Sequence, residues 1–346
     1  MSLDPPATTA VRDLLRRPLH SLRVSVIDRC DLRCQYCMPE ENYVWLPRRD
    51  LLGFDEIERS VDAFCQLGVR SVRLTGGEPL LRANLPALVA RIAALPLVED
   101  LALTTNATQL ARYAEALRAE GLQRVTVSLD SLRPERFLQL ARRAMHAQVI
   151  EGIRAAAAVG FDSLKLNSVV MRDFNCDELV DLLEFGREVG AEVRFIEYMD
   201  VGGATHWSQG AVVTQAEILA RLEAYYGPIE CEDERGAQPA ARFRLADGTL
   251  FGIVASVTEP FCRTCDRSRL TADGLWYLCL YAQQGIDLKP WLREGQEGLL
   301  TKLQDGWSAR ADRSAEARRD NPQRGALYQV AELQDDPHRE MHTRGG

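Results

Sequence analysis

Five stretches in the first half of this chain alternate strictly between polar and apolar residues, and helix-length segments separate them. The predicted strands cover residues 22–28, 71–76, 100–106, 124–130, 163–169 and, less cleanly, 192–199. Helical patterns fall between them, for example over 55–67, 84–95 and 109–120. Repeated strand–helix units of this kind imply parallel strands joined by helical crossovers. Within the strands, Arg23 and Ser25 oppose Val24 and Val26, and Arg73 and Thr75 oppose Val72 and Leu74. Ala102, Thr104 and Asn106 oppose Leu101 and Leu103, while Thr126, Ser128 and Asp130 oppose Val125, Val127 and Leu129. Ser163, Lys165 and Asn167 oppose Leu164 and Leu166. An open doubly wound sheet is apolar on both faces because helices cover both. Here one face is apolar and the other carries Arg, Lys, Thr, Ser and Asn. A curled or closed barrel resolves this, with helices outside and a polar lumen within. Barrel interiors are ordinarily filled by Val, Ile and Leu, so this lumen reads as a substrate chamber. In 192–199 the pattern is mixed, with Val193, Phe195, Glu197 and Met199 on one face. An amphipathic sheet with one solvated face is the competing reading, although helical crossovers make a bare face awkward.

After residue 199 the rhythm changes. Residues 201–203 read as a joint, followed by a helix over 214–226 and short strands over 241–245, 249–254 and 276–280. The expected organisation is a lead-in over 1–19, a barrel over 20–200, a smaller second unit over 201–309 and a charged, irregular tail over 310–346 with no core contribution. The 346 residues, 46% of them hydrophobic, suffice for this. A net charge of −8 argues against a broad nucleic-acid surface. No apolar run reaches membrane-span length, and residues 1–10 lack the pattern of a signal peptide, so the expected location is the cytoplasm.

Of nine cysteines, six fall into two groups, while Cys65, Cys176 and Cys231 are scattered and read as buried or idle thiols. In a large chain without secretory features, grouped cysteines point to metal ligands rather than disulfides. Cys30-x3-Cys34-x2-Cys37 follows the first strand directly, where parallel barrels place functional loops. Three sulfurs do not complete the four-cysteine cage of an iron–sulfur cube, which leaves one iron open to an outside ligand. Structural zinc takes four ligands, and no His or Cys follows closely. The second strand runs into Gly76-Gly77-Glu78-Pro79. Its carbonyls and the Glu78 carboxylate could accept hydrogen bonds from a cationic amine, and glycine permits the close approach. Cys262-x2-Cys265-x13-Cys279 again supplies three sulfurs. Zinc completed by a distant His206 and a second open cluster are both compatible with it. Arg267 and Arg269 follow at alternate positions and point the same way in an extended segment. With Arg23, Arg73 and Lys165 they make five cations. Singly these suit ordinary ion pairs; together they repel one another unless an anion such as a polyphosphate joins them.

Cys30-x3-Cys34-x-Tyr36-Cys37 followed by Gly76-Gly77-Glu78-Pro79 resembles the radical S-adenosylmethionine superfamily. Four further motifs narrow this: Arg23-Val-Ser-Val-x2-Arg-Cys, Arg73-Leu-Thr-Gly-Gly-Glu-Pro-Leu, Phe195-Ile-Glu-Tyr-Met and Cys265-Asp-Arg-Ser-Arg-Leu-Thr-Ala-Asp-Gly. With the terminal Gly345-Gly346, they resemble the molybdenum cofactor biosynthesis protein A family, the GTP 3',8-cyclases, over roughly residues 18–285. The resemblance implies an α/β fold, a partial (β/α) TIM-like barrel with a smaller C-terminal cluster-binding unit. It implies two 4Fe–4S clusters, on Cys30, Cys34 and Cys37 and on Cys262, Cys265 and Cys279, together with S-adenosylmethionine. By residue matching Tyr36, Gly77, Ser128 and Met199 would contact S-adenosylmethionine, alongside Glu78. Arg23, Arg73, Thr104, Lys165, Arg267 and Arg269 would contact GTP, and the second cluster would help bind it. Gly345 and Gly346 would reach toward the active site. The implied reaction is hydrogen abstraction from GTP C3' by a 5'-deoxyadenosyl radical, then bonding of C3' to C8. The implied partners are GTP, an electron donor and a downstream cyclic pyranopterin monophosphate synthase; a homodimer stays an open option, and neither nucleic acid nor membrane is expected.

The chain departs from the family at Arg142-Arg143, where Gly-Arg is usual, at the more apolar Leu275-Trp276-Tyr277-Leu278, and beyond residue 310 apart from the last two glycines. Two rival readings stand beside it: another radical enzyme with an auxiliary cluster, such as a peptide-modifying maturase, and a non-catalytic iron–sulfur or zinc scaffold.

Overall fold

A computed structural model describes residues 10–40, 43–232 and 236–345. Its strands are β1 (Ser21–Ser25), β2 (Ser71–Thr75), β3 (Asp100–Thr105), β4 (Arg124–Ser128), β5 (Ser163–Val170) and β6 (Glu192–Glu197), then β7 (Glu230–Glu232), β8 (Ala241–Arg244), β9 (Leu250–Val254), β10 (Arg267–Leu270), β11 (Leu275–Tyr277) and β12 (Ile286–Asp287). Helices α1 (Phe54–Gln66), α2 (Leu85–Ala93), α3 (Leu110–Ala119), α4 (Pro134–Ala141), α5 (His146–Val159) and α6 (Leu179–Glu188) make the crossovers. Local signals fix them. The Gly53 N–H ahead of α1 is capped by the Glu56 carboxylate at 2.8 Å, and Asp55 and Glu56 complement the helix N-terminus.

Strands β1 to β6 lie side by side, parallel and in chain order. The sheet does not close. β10 pairs in parallel with β1 and β9 in parallel with β6, and the antiparallel additions β11–β12 and β8–β7 finish the two edges. The later strands thus extend the barrel sheet rather than form a sheet apart. An open six-strand barrel has two edges of unpaired backbone groups, and β10 and β9 satisfy them. The apolar strand face, including Leu22, Val72, Leu103, Val125, Leu166 and Phe195, is buried in one core with helix residues such as Val61, Phe64, Leu88 and Leu117. Each such side chain contributes roughly 1.5–3 kcal/mol.

Helix α7 (Gln215–Tyr226) lies where the sequence places it, capped by Thr214, whose Oγ1 accepts from the Glu217 N–H. α8 (Lys289–Glu294) and α9 (Gln296–Ser308) pack beside α1, where Trp276 meets Phe64 edge-on at 5.6 Å. The tail is not structureless. It forms α10 (Ser314–Arg319) and α11 (Val330–Asp335), and His342, Thr343 and Arg344 are buried. Asp200, fully buried, takes the Tyr281 hydroxyl and the guanidinium groups of Arg318 and Arg324, and its carbonyl accepts from Leu327. The contacts of Arg318, Arg324 and Leu327 join residues more than a hundred positions apart, so the local pattern of the tail held no sign of them. Among the described residues no helix is long and apolar enough to cross a membrane.

Candidate functional site

The polar face of the curled sheet encloses a cavity of about 760 Å³. Arg23, Arg73, Thr104, Arg267 and Arg269 form part of its wall. So do Tyr36, Ser128 and Met199, and so do all three cysteines of the second group. Lys165, expected with the arginines, is not in the wall, although Asn167 and Val169 of the same strand are; its ammonium is 3.6 Å from Glu192 on β6.

Strand register creates the cationic wall. Arg269 on β10, Arg23 on β1 and Arg73 on β2 are direct partners across three adjacent parallel strands, and Arg267 faces Ser21. Burial, then repulsion from Arg269, Arg73 and Arg267, holds the pKa of the Arg23 guanidinium well below its ordinary value. Burial and neighbouring arginines bring Arg73 down to about 10 and Arg269 down to about 9. Burial, then Arg194, lowers Lys165 to about 8 despite Glu192. Arg73 is aimed by its Nη1, which donates to Thr104 Oγ1 at 3.1 Å and Thr126 Oγ1 at 3.0 Å. Arg267 lies over the Phe261 ring at 4.6 Å. A wall that disfavours its own charge favours a polyanion. Arg124 and Arg194 also line the cavity but were not singled out from the sequence. Both sit on the lumen side, Arg124 opposite Ala102 and Arg194 opposite Asn167; the alternation marks Arg124, two residues before Thr126, and the mixed pattern of β6 hides Arg194.

The first cysteine loop is seated by the glycines. The Gly77 N–H donates to Ile27 O at 3.0 Å and the Glu78 N–H to Arg29 O at 2.8 Å. A Cβ at Gly77 would collide with the Arg29 and Asp28 carbonyls, and one at Gly76, which has φ +150°, with the Ile27 carbonyl. Glu78 faces inward. Its Oε1 accepts from the Leu80 N–H at 3.0 Å and from Thr105 Oγ1 at 2.7 Å, and its Oε2 from the Asn106 N–H at 2.7 Å. It is fully buried, and burial raises its carboxyl to about 7 against those three donors. Its carboxylate thereby joins the loops after β2 and β3. The Tyr36 hydroxyl donates to Asp130 Oδ2 at 2.7 Å, which ties the cysteine loop to the end of β4. Arg142 ends α4 with φ 53°, a left-handed position suited to glycine, and its Nη1 donates to Pro39 O at 2.6 Å.

Burial, then acidic neighbours, pushes Cys30 up to about 12, and burial also raises Cys34 and Cys37, where nearby cysteines add to the effect. Among the described residues no three His, Cys, Asp or Glu side chains converge on a single ion. Cys30, Cys34 and Cys37 act on one another electrostatically, and in a cluster each thiolate would bind a different iron. Cys30, Cys34 and Cys37 are outside the cavity wall, but Tyr36 between the last two belongs to it. In the second group burial would raise Cys265, but Arg267 and Arg310 outweigh it and bring the thiol to about 7, a value that favours the thiolate a metal needs. Burial raises Cys279. His206 is exposed and is not in the wall that holds these cysteines.

The chain end enters the lumen. Gly345 O accepts from Arg23 Nη1 at 2.9 Å and Arg269 Nη1 at 2.8 Å, and Thr343 O from Ser25 Oγ at 3.0 Å. A Cβ on Gly345, which has φ +64°, would strike Thr75. Gly346 lies outside the described residues. Cys65 is buried, Cys176 half-buried and Cys231 exposed, none of them in the site.

The radical SAM superfamily pattern matches residues 24–186, and the Molybdenum Cofactor Synthesis C pattern matches residues 191–316. The chain is 54% identical over 342 residues to GTP 3',8-cyclase 3 of Mycobacterium bovis, covering 97% of this chain and 90% of that protein. It is 53% identical over 348 residues to GTP 3',8-cyclase 1 of Mycobacterium tuberculosis, covering 99% and 97%. Among solved structures, Streptococcus suis SuiB bound to S-adenosylmethionine superposes with a TM-score of 0.59 at 18% identity, over 88% of this chain and 68% of that one, a likeness of fold.

Proposed function

The chain belongs to the GTP 3',8-cyclase family of radical S-adenosylmethionine proteins, and on that footing we propose that it converts GTP to 3',8-cyclo-7,8-dihydro-GTP in molybdenum cofactor biosynthesis. One observation supports this above the rest. Three arginines in register, Arg269, Arg23 and Arg73, share a cavity with Tyr36, Ser128 and Met199 and with the second cysteine group.

In this reading Cys30, Cys34 and Cys37 hold one 4Fe–4S cluster and Cys262, Cys265 and Cys279 a second. With S-adenosylmethionine bound at the first, the cluster would supply radical chemistry for hydrogen abstraction from GTP C3', which no positioned acid or base achieves on a ribose C–H. The protein's part is placement and shielding. Arg23, Arg73, Arg267 and Arg269 take the triphosphate by charged, bidentate donation, and Thr104 and Thr126 fix the aim of Arg73. Lys165 completes the cationic set from β5. Tyr36, Gly77, Ser128 and Met199 flank S-adenosylmethionine, and the Gly345 end closes the lumen against water. We assign residues 20–200 to the radical-generating barrel, 201–309 to the second-cluster unit and 310–346 to the tail. A cytoplasmic setting, an electron donor and a downstream cyclic pyranopterin monophosphate synthase complete the proposal.

The test is anaerobic reconstitution followed by incubation with GTP, S-adenosylmethionine and dithionite. GTP-dependent 5'-deoxyadenosine that carries deuterium from 3'-deuterated GTP is expected. Full cluster loading without GTP-dependent 5'-deoxyadenosine would overturn the assignment.

A further inference from the structure

The stretch just before β1 is anchored more firmly than a lead-in requires. Asp13, Arg17 and, just past α9, Arg310 are 5%, 2% and 2% exposed. One carboxylate serves both guanidinium groups. Asp13 Oδ2 accepts from Arg17 Nε at 2.5 Å and from Arg310 Nη1 at 3.5 Å, while its Oδ1 accepts from the Leu15 and Arg17 N–H groups, each at 2.9 Å. Each arginine in turn grips one carbonyl of the second cysteine group. Arg17 Nη1 donates to Cys262 O at 2.8 Å and to Asp312 O at 2.7 Å, and Arg310 Nη1 donates to Cys265 O at 2.9 Å. Trp307 holds the two arginines together: its Nε1 donates to Arg17 O at 3.1 Å, and the Arg310 guanidinium lies over its ring at 4.4 Å. The cysteine loop itself is weakly held from within. It is a single 3-10 turn, Cys262–Thr264, whose bonds are long: 3.3 Å from the Thr264 N–H to Phe261 O and 3.4 Å from the Cys265 N–H to Cys262 O. Such bonds are ordinarily about 2.9–3.0 Å and weaken with length. The bonds from the arginines to the cysteine carbonyls are shorter and charge-assisted, hence stronger.

We propose that Asp13, Arg17 and Arg310 form a buried clamp that fixes Cys262 and Cys265 at the spacing of the second cluster, so that this part of the substrate site is organised before any iron enters. The inference rests on the reading that Cys262, Cys265 and Cys279 hold that cluster. Where ligands are mobile, the cost of ordering them is subtracted from the free energy of metal binding. A clamp that orders them during folding removes that cost, and groups that orient ligands in this way change metal affinity by about 10–100-fold. The two arginines act on the backbone carbonyls of the cysteines, and Asp13 acts through the arginines; all three are positioning residues. The clamp joins the chain's first described segment to the one after α9, and both lie outside the turn they hold.

Arg310→Met keeps a long side chain over Trp307 and removes the donor to Cys265; Arg17→Met removes the donors to Cys262, Asp312 and Asp13. In the full, cluster-free chain the clamp is read by iodoacetamide alkylation, mapped cysteine by cysteine with mass spectrometry. Both variants should raise the rates at Cys262 and Cys265 several-fold and leave Cys30, Cys34 and Cys37 at the parent's rates. Unchanged rates at Cys262 and Cys265 overturn the proposal, and so does an equal rise at every grouped cysteine, which marks general loosening. After anaerobic reconstitution the variants' iron should fall from about eight toward about four per chain, with the EPR signal that responds to S-adenosylmethionine kept and the one that responds to GTP weakened. Full iron with an unaltered response to GTP also overturns the proposal. A further measurement leaves the clamp residues in place. Coupling between sites is reciprocal, so filling the second site should slow hydrogen exchange of the Leu15 and Arg17 amides, both bonded to Asp13. The parent loaded at both sites is compared with Cys279→Ser loaded at the first alone. Slower exchange in the parent supports the clamp even where methionine at 17 or 310 prevents folding; equal exchange overturns it. If the parent takes up about four irons and Cys279→Ser takes up no fewer, the second-cluster reading itself fails, a result distinct from any at the clamp.

Discussion

Replacing Arg23 with Met should make the cluster-free protein more stable and its anion binding weaker. Arg23 lies between Arg269 and Arg73 in register, on strands about 4.8 Å apart. Two guanidinium groups about 6 Å apart at an effective dielectric of about 20 repel by about 3 kcal/mol. Removing the middle charge relieves two such pairs, about 5–6 kcal/mol before other charges are counted. Against this stands the lost charged hydrogen bond to Gly345 O, about 1.5–3 kcal/mol, which leaves a net gain of about 2–4.5 kcal/mol. An unfolding entropy of about 2.1 cal/mol/K per residue over 346 residues converts this to a thermal midpoint higher by about 3–6 °C. Inorganic tripolyphosphate reverses the order. At about a hundred times its Kd it stabilises the unsubstituted protein by about 2.7 kcal/mol, or about 4 °C on the same conversion. Loss of one charged contact weakens binding roughly 30-fold, so the same concentration raises the variant by about 1 °C. Thermal unfolding with and without tripolyphosphate measures both. A variant that melts below the parent without anion, or gains as much from tripolyphosphate, would refute the argument that this wall is held in repulsion for a polyanion.

Other positions give sharper single readouts. Gly77→Ala places a Cβ against the Arg29 and Asp28 carbonyls, so iron and sulfide retention after reconstitution should fall while the second site keeps its share; full retention at the first site would contradict the packing argument. Thr104→Val removes one of the two hydroxyls that aim Arg73, a loss of about 1 kcal/mol, and should raise the KM for GTP about fivefold with little change in kcat; an unaltered KM counts against that role. His338 lies between Asp273, with Nε2 to Oδ2 at 2.8 Å, and Asp336 at 3.2 Å. Burial opposes its charge, but the two carboxylates prevail and raise its pKa above the ordinary value. Its stabilising contribution is therefore complete below about pH 6.5 and is lost as pH climbs through the raised folded value. Limited proteolysis of residues 336–345 should accelerate between about pH 6 and about pH 8.5, and His338→Gln should flatten that dependence; a parent protein equally resistant at both ends would remove the basis for it.

The amino-acid order alone determined the polar and apolar faces of β1 to β5, because side chains alternate with a period of two and helices can cover only an apolar face. It also placed both cysteine groups, and the Arg267–Arg269 pair, whose shared direction follows from the same alternation. It did not reveal that β10 completes the edge beside β1, which turns those arginines into a register-matched wall with Arg23 and Arg73. Such pairing joins residues more than two hundred positions apart and leaves no local trace. Glu78 shows the same limit: only the folded loops decide that its oxygens meet Leu80, Thr105 and Asn106. The tail shows it most fully. Charged and irregular as a string, it lacks a periodic face, so its order comes from distant partners: Asp200 for Arg318 and Arg324, the Leu280 and Ala282 carbonyls for Arg344, and Arg23 and Arg269 for Gly345. Local periodicity decided where the strands run; long-range polar pairing, available only after the barrel has formed, decided what closes it.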